Sequence, residues 1–146
     1  MSYTNLLYHV VFGTKGRYPF ITKELKPRLH EYLGGTVRGL GGIAFEINGI
    51  EDHVHMLVKI RPPKEISALV RDVKANSSKW ARVLTNGRFG WARRYGAFTV
   101  SESQFEIVRK YIQNQEKHHT KFDFKHEYEG LLRANGIEID EYVWRD

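Results

Sequence analysis

His53 and His55 stand one residue apart in the run His53-Val54-His55-Met56-Leu57-Val58-Lys59-Ile60. The run is short, apolar and rich in β-branched residues, and Pro62-Pro63 close it, so it reads as a strand. Side chains on a strand alternate between faces. Val54, Met56, Val58 and Ile60 then share one apolar face, which must meet helices. The two imidazoles share the other face, about 7 Å apart along the strand. Imidazoles so placed can converge on a single ion. In a chain with seven histidines the tripeptide is weak by itself. The clean apolar face behind it strengthens it.

Tyr111 and Gln115 are four residues apart in a segment whose apolar residues, Phe105, Val108 and Ile112, recur at helical spacing. They therefore lie together, one turn apart. A phenol beside an amide is ordinary on a helix. Added to an ion held by two imidazoles, it completes a set for phosphoryl transfer. The phenol is the nucleophile, and the ion polarises the phosphoryl oxygens. His9 shares a strand face with Leu7 and Val11. Its first reading is a hydrogen-bonded sheet histidine.

These residues need a scaffold. Leu6 to Phe12 is a short strand that ends at Gly13. Thr22 caps a helix that carries Leu25, Leu29, Tyr32, Leu33, Val37 and Leu40, with Gly34-Gly35 weakening its second half. Ile43 to Ile50 is a strand joined to His53–Ile60 by Glu51-Asp52. Ile66, Leu69, Val70, Val73, Ser77, Trp80 and Leu84 mark one stripe of a second helix. Gly96 to Val100 is a fourth strand. Ser101-Glu102-Ser103-Gln104 has the form of a capping box for a third helix running to about Lys117. Lys125 to Asn135 forms a short last helix that Gly136 ends. The order β-α-β-β-α-β predicts an α+β fold of ferredoxin-like type: a four-stranded antiparallel sheet, helices on one face, and a C-terminal helix bearing the tyrosine. The first and third strands are central neighbours there, which sets His9 beside the histidine pair. One domain over residues 1–146 is expected, with 124–146 as a tail.

Twenty-three Lys and Arg against seventeen Asp and Glu give a net charge of +6, which favours a polyanionic partner. The absence of cysteine excludes disulfides, thiolate zinc sites and thiol nucleophiles. No apolar run approaches ~18 residues, and the first residues lack the pattern of a signal peptide. The expectation is a soluble cytoplasmic protein without a membrane partner.

Tyr8-His9-Val10-Val11-Phe12 with Thr14-Lys15 and Arg17, and Asn48-Gly49-Ile50-Glu51-Asp52-His53-Val54-His55, form a series. It continues with Trp80, Tyr95 to Ser101, Tyr111-Ile112 with Gln115, and His118-His119. In order and spacing this series resembles the single-tyrosine HUH transposases, the enzymes of small bacterial insertion sequences and their REP-associated relatives. The resemblance spans about Asn5 to Phe122 and implies much of the chemistry. His53 and His55 would bind a divalent ion, Mg²⁺ or Mn²⁺, with Gln115 as third ligand. Tyr111 would attack a phosphodiester of single-stranded DNA, leaving a 5′-phosphotyrosine link and a 3′-hydroxyl. A 3′-hydroxyl would later reverse the step without any nucleotide cofactor. The resemblance also implies hairpin recognition and a homodimer, with Tyr111 acting in cis or in trans on bacterial chromosomal or plasmid DNA. Two imidazoles and an amide are an unusual magnesium set, and Glu51 and Asp52 stay outside it.

The candidate DNA contacts are Lys15 and Arg17 in the first loop and Arg71, Lys74, Lys79 and Arg82 on the second helix, with Arg88, Arg93 and Arg94 near the fourth strand. Phe89 and Trp91 would either stack on unpaired bases or belong to the core. Competing readings are a domesticated hairpin-binding or hairpin-processing relative, a non-catalytic RNA-binding module, and a metal-dependent hydrolase with no covalent tyrosine link. The second predicts aromatic side chains on the open sheet face, where His53 and His55 stand instead.

Overall fold

The computed structural model describes residues 2–145. Strand β1 (Leu6–Gly13) lies at the centre of an antiparallel sheet. It pairs along its length with β3 (His53–Ile60), from Leu6 opposite Ile60 to Gly13 opposite His53. β4 (Gly96–Val100) flanks β1 on one side and β2 (Ile43–Ile50) flanks β3 on the other, giving the order β2-β3-β1-β4. This is the ferredoxin-like arrangement expected from the element order.

Alternation divides the sheet into two faces of different character. Val10, Phe12, Val54, Met56, Val58 and Ile60 point to one side and are buried. They meet Leu25, Leu29, Leu33 and Val37 of α1 (Leu25–Gly39), and Leu69, Val70, Val73 and Ala81 of α2 (Ile66–Leu84). Each such side chain contributes roughly 1.5–3 kcal/mol when fully buried, so this layer drives the fold. Gly34-Gly35 do not interrupt α1. Tertiary burial of Leu33 and Val37 outweighs the propensity cost of the pair, about 1 kcal/mol per glycine. Among the described residues no helix is long and apolar enough to cross a membrane.

The other face carries Leu7, His9, Val11, His53, His55, Leu57, Phe98 and Val100. It is covered by α3 (Phe105–Gln113), the single turn α4 (Gln115–His118) and α5 (Phe124–Ala134). Ile112, Phe105 and Val108 of α3 pack over Leu7, Leu57 and Val100. Phe124, Tyr128 and Leu132 of α5 pack over Val11 and Phe98. Asp123 opens α5 by accepting from His126 N at 2.8 Å. Gly136 closes it at φ 73°, with Gly136 N on Arg133 O (3.1 Å) and Ile137 N on Leu132 O (2.9 Å), the Schellman pattern.

Two local expectations fail. The capping box does not form: Ser101 Oγ bonds Ser103 Oγ at 3.1 Å, and a 3₁₀ turn over 102–104 leads into α3. The third helix also does not run unbroken to Lys117. It breaks at Asn114 (φ −94°, ψ 19°), where the side-chain amide of Asn48 on β2 donates to Ile112 O (3.0 Å) and Gln113 O (3.1 Å). A side chain from the sheet edge thus meets the carbonyls at the helix end. The ladder resumes with His118 N on Asn114 O at 2.9 Å.

Candidate active site

The first two histidines enter from the sheet. His53 and His55 occupy alternate positions of β3 on the face under α3 and α5, and neither has exposed surface. His53 Nδ1 donates to Asp52 Oδ1 at 2.8 Å, which leaves Nε2 aimed inward. Phe124 of α5 stacks flat on the His53 ring, with centroids 4.1 Å apart and planes 7° apart. Gly13 on β1, opposite His53, permits this approach, because a Cβ there would stand 2.7 Å from Phe124 Cε2. His55 Nδ1 is 2.8 Å from His9 Nε2, so His9 is a sheet histidine hydrogen-bonded to the pair.

The break at Asn114 brings in the next three groups. Tyr111 lies in the last turn of α3, Gln115 begins α4, and His119 follows it. Gln115 is fully buried, with Oε1 2.9 Å from His53 Nε2 and 3.1 Å from His119 Nε2. His119 Nδ1 donates to Phe122 O at 2.6 Å, so its Nε2 also faces inward. His118 Nε2 is buried without a hydrogen-bond partner, 3.7 Å from Glu127 Oε2.

Glu127 on α5 ties the cluster together. Its Oε1 lies 3.2 Å from His53 Nε2, 3.0 Å from His55 Nε2 and 2.9 Å from His119 Nε2. Its Oε2 accepts from Gln115 Nε2 at 2.8 Å and from the Tyr111 hydroxyl. Five side chains from β3, α3, α4 and the turn after α4 therefore address one carboxylate.

The electrostatics follow from burial and these bonds. Burial alone would raise the Glu127 carboxyl, but hydrogen bonds from His119, His53 and His55 outweigh it and keep the group ionised. Burial pulls His53 down, yet its bonds to Asp52 and Glu127 and their charges prevail and raise it to about 9. His55 falls to about 4 and His9 to about 3, chiefly through burial. Tyr111 is pushed well above the usual phenol range, first by burial and then by its bond to Glu127.

The donor set suits a cation. His53 and His119 each commit Nδ1–H to a fixed acceptor, so a neutral ring at either position presents its Nε2 lone pair to the Gln115 and Glu127 oxygens. Ligand atoms of His53, His119 and Glu127 all fall within 4.8 Å of one another. Acceptors crowded this way are held together by a proton or an ion.

Tyr111, His53, His55 and Gln115 thus come together from segments far apart in the chain. Glu127 joins them without having been singled out, His119 comes from the resembling series with no role assigned to it there, and Asp52, left outside the ligand set, bonds His53 Nδ1 instead. The signal for Glu127 was present. The stripe Phe124, Glu127, Tyr128, Leu132 places a carboxylate where helical periodicity expects an apolar side chain.

The basic residues divide into groups. Lys15, Lys74 and Arg82 line one open groove with Arg88 and Arg93. Lys74 Nζ also donates to Ala92 O (2.6 Å) and Arg93 O (3.0 Å), tying α2 to the loop before β4. Arg71 and Lys79 lie on α2 outside that groove, and Arg71 pairs with Asp72 at 3.2 Å. Arg17 sits apart, its guanidinium 4.8 Å from the Trp144 ring. Phe89 is buried, and Trp91 packs edge-on against Phe12 while its Nε1 donates to Ser77 Oγ at 2.9 Å. Phe89 belongs to the core, whereas Trp91 is only partly buried against it and lines the basic groove.

Comparison with known proteins supports one family. The family model described as "Transposase IS200 like" matches residues 2–115. The chain is 29% identical over 120 residues to the ISDra2 transposase TnpA of Deinococcus radiodurans, covering 75% of this chain and 84% of that protein. A crystal structure of a candidate transposase from Deinococcus radiodurans R1 is similar at TM-score 0.65 and 25% identity, over 78% of this chain and 93% of that one. A REP-associated tyrosine transposase, solved bound to a REP hairpin, shares the fold at TM-score 0.63 and 12% identity, over 82% of this chain and 72% of that one.

Proposed function

This chain belongs to the IS200-like transposases, enzymes that cut and transfer DNA strands, and we propose that it acts on single-stranded DNA with Tyr111 as its nucleophile. The observation that carries this reading is the position of the phenol. Its hydroxyl bonds the same carboxylate that the two β3 imidazoles and the Gln115 amide address.

In the reaction the Tyr111 oxygen forms a bond to phosphorus and the bond from phosphorus to the 3′-oxygen breaks. The phenolic proton ends on the departing 3′-hydroxyl. The 5′-phosphotyrosine conserves the ester, so a 3′-hydroxyl can reverse the step without a nucleotide cofactor. A divalent ion held by His53, His55 and Gln115, Mg²⁺ or Mn²⁺, would polarise the phosphoryl oxygens and neutralise charge developing on them. The protein's own part is positional. Asp52 fixes the ring of His53, and His9 fixes that of His55. Burial, and then the bond to Glu127, favour the neutral phenol, and that bond orients it.

The groove of Lys15, Lys74, Arg82, Arg88 and Arg93 suits a phosphate backbone. A fold relative that holds a REP hairpin supports hairpin recognition here. Arg17, Arg71 and Lys79 would extend the contact beyond the groove. Excision needs two cleavages and each chain has one such tyrosine, which favours a homodimer. We read residues 1–146 as a single transposase domain, its 124–146 tail included, working in the bacterial cytoplasm on chromosomal or plasmid DNA.

The test is covalent capture. Labelled single-stranded DNA from either side of the gene is incubated with the protein, with and without Mg²⁺ or Mn²⁺, and run on denaturing gels. An ion-dependent adduct, lost in Tyr111→Phe and His53→Ala, is the expected result. Hairpin binding without an adduct would leave a binding protein, and cleavage without an adduct would demote Tyr111 to a structural residue.

A further inference from the structure

The ligand set implied by the family, two imidazoles and one amide oxygen, is neutral and poor in hard oxygen donors. Mg²⁺ and Mn²⁺ favour carboxylate, carbonyl and water oxygens. The fold offers the missing donor from α5, beyond the residues 2–115 that the family model matches. We infer that Glu127 is itself a ligand of the ion, with His119 beside it, so that the last helix supplies the carboxylate of the metal centre. This rests on the reading above that the cluster is an ion site.

Three observations carry it. The first is convergence: Glu127 Oε1 is 2.9–3.2 Å from three imidazole Nε2 atoms, and Gln115 Oε1 is 2.9 Å and 3.1 Å from two of them. An ion among these atoms replaces the ring protons that bridge them when it is absent.

The second is the cost of the arrangement. Glu127 is 5% exposed and stands in the apolar stripe of α5. A buried carboxylate must be matched by charge and hydrogen bonds, and the match here is a ring of metal-ligating side chains.

The third is the division of labour between its oxygens. Oε1 faces the imidazoles, while Oε2 accepts from Gln115 Nε2 and the Tyr111 hydroxyl. One carboxylate therefore links ion and nucleophile, fixing the phenol relative to the place where the phosphoryl oxygens are polarised. A bound ion would then be a further tie between α5 and the sheet, which already meet through Phe124, Tyr128 and Leu132.

The experiment is calorimetric titration of the metal-free full chain with Mn²⁺, for wild type, Glu127→Gln, His119→Ala and Tyr111→Phe. Losing a ligand should weaken binding at least as much as losing a supporting residue, roughly 10- to 100-fold. Glu127→Gln should show that loss, and Mn²⁺ should raise its melting temperature far less than it raises that of wild type. His119→Ala should also bind more weakly, and Tyr111→Phe should bind like wild type. Equal affinity in Glu127→Gln would overturn the inference. So would tighter binding, because the carboxylate would then be a plug that the ion must displace.

Failure of the wild type to bind Mn²⁺ at all would remove the ion site itself and this inference with it. Failure of covalent capture with Mn²⁺ binding intact would refute only the role of Tyr111. If Glu127→Gln does not fold, anomalous scattering from Mn²⁺-soaked wild-type crystals decides. A Glu127 oxygen at bonding distance upholds the inference, and a side chain turned away overturns it.

Discussion

Asn48 offers a direct test of how the sheet positions Tyr111, the proposed nucleophile. Its side-chain amide donates to Ile112 O at 3.0 Å and Gln113 O at 3.1 Å, at the break that separates Tyr111 from Gln115. Replacing it by alanine removes two hydrogen bonds, leaving Ile112 O, on a residue with no exposed surface, with the Asn114 N–H alone and Gln113 O to solvent. Two neutral bonds at about 1 kcal/mol each, one of them to a buried carbonyl left with a poorer set of partners, give an expected destabilisation of roughly 1–3 kcal/mol. For a chain of this length that lowers the melting temperature by a few degrees per kcal/mol, on the order of 3–10 °C. Loosening also frees the phenol and the amide to shift relative to the β3 imidazoles, and a misplacement of about 1 Å costs on the order of 10²-fold in rate. Asn48→Ala should therefore melt earlier and form the tyrosyl adduct at least tenfold more slowly. Asn48→Asp should be worse on both counts, because a carboxylate cannot donate to carbonyls. Thermal melts read the first effect, and gel-resolved adduct time courses read the second. An Asn48→Ala protein that melts and reacts like wild type would refute the claim that this contact positions Tyr111.

Three further outcomes follow from the same geometry. His30 on α1 has a buried Nε2 without a partner, and burial together with Lys26 lowers it to about 4. Its unfolded value is higher, so its contribution is complete above pH ~6.5 and is lost as pH falls toward 4. His30→Phe should therefore abolish about 3 kcal/mol of acid destabilisation relative to wild type between those pH values, as read by urea melts at each pH. His9→Phe keeps the ring but removes the bond to His55 Nδ1. Mn²⁺ affinity should fall roughly 10- to 100-fold, and an unchanged isotherm would show that His9 does not orient His55. Finally, Arg88→Ala in the basic groove should lower the slope of log affinity against log salt for single-stranded DNA by about 0.7. An unchanged slope in a fluorescence titration would remove that residue from the interface.

What could be read from the sequence and what could not have a common physical origin. The face division of β3 was legible because it depends only on a period of two within eight residues. The sheet order followed from the alternation of elements, and it placed His9 next to His55 before any contact was known. By contrast, the carbonyl of Ile112 at the break is met by a side chain 64 residues earlier, and nothing in the local segment announces that contact. Ser101 to Gln104 held the right residue types for a cap, yet the chain enters α3 through a tighter turn in which those side chains face one another. Glu127 is the clearest case. It meets His55 across 72 residues, and its burial depends on α5 folding back over the face opposite the main core. A sheet with helices on one side alone would leave His53 and His55 wet. Covering the second face removes water from them, strengthens every bond to Glu127, and makes the orientation of each ring depend on a partner from another element. Local pattern therefore identifies which residues can do the chemistry, while the geometry that makes them act together comes from contacts between distant segments.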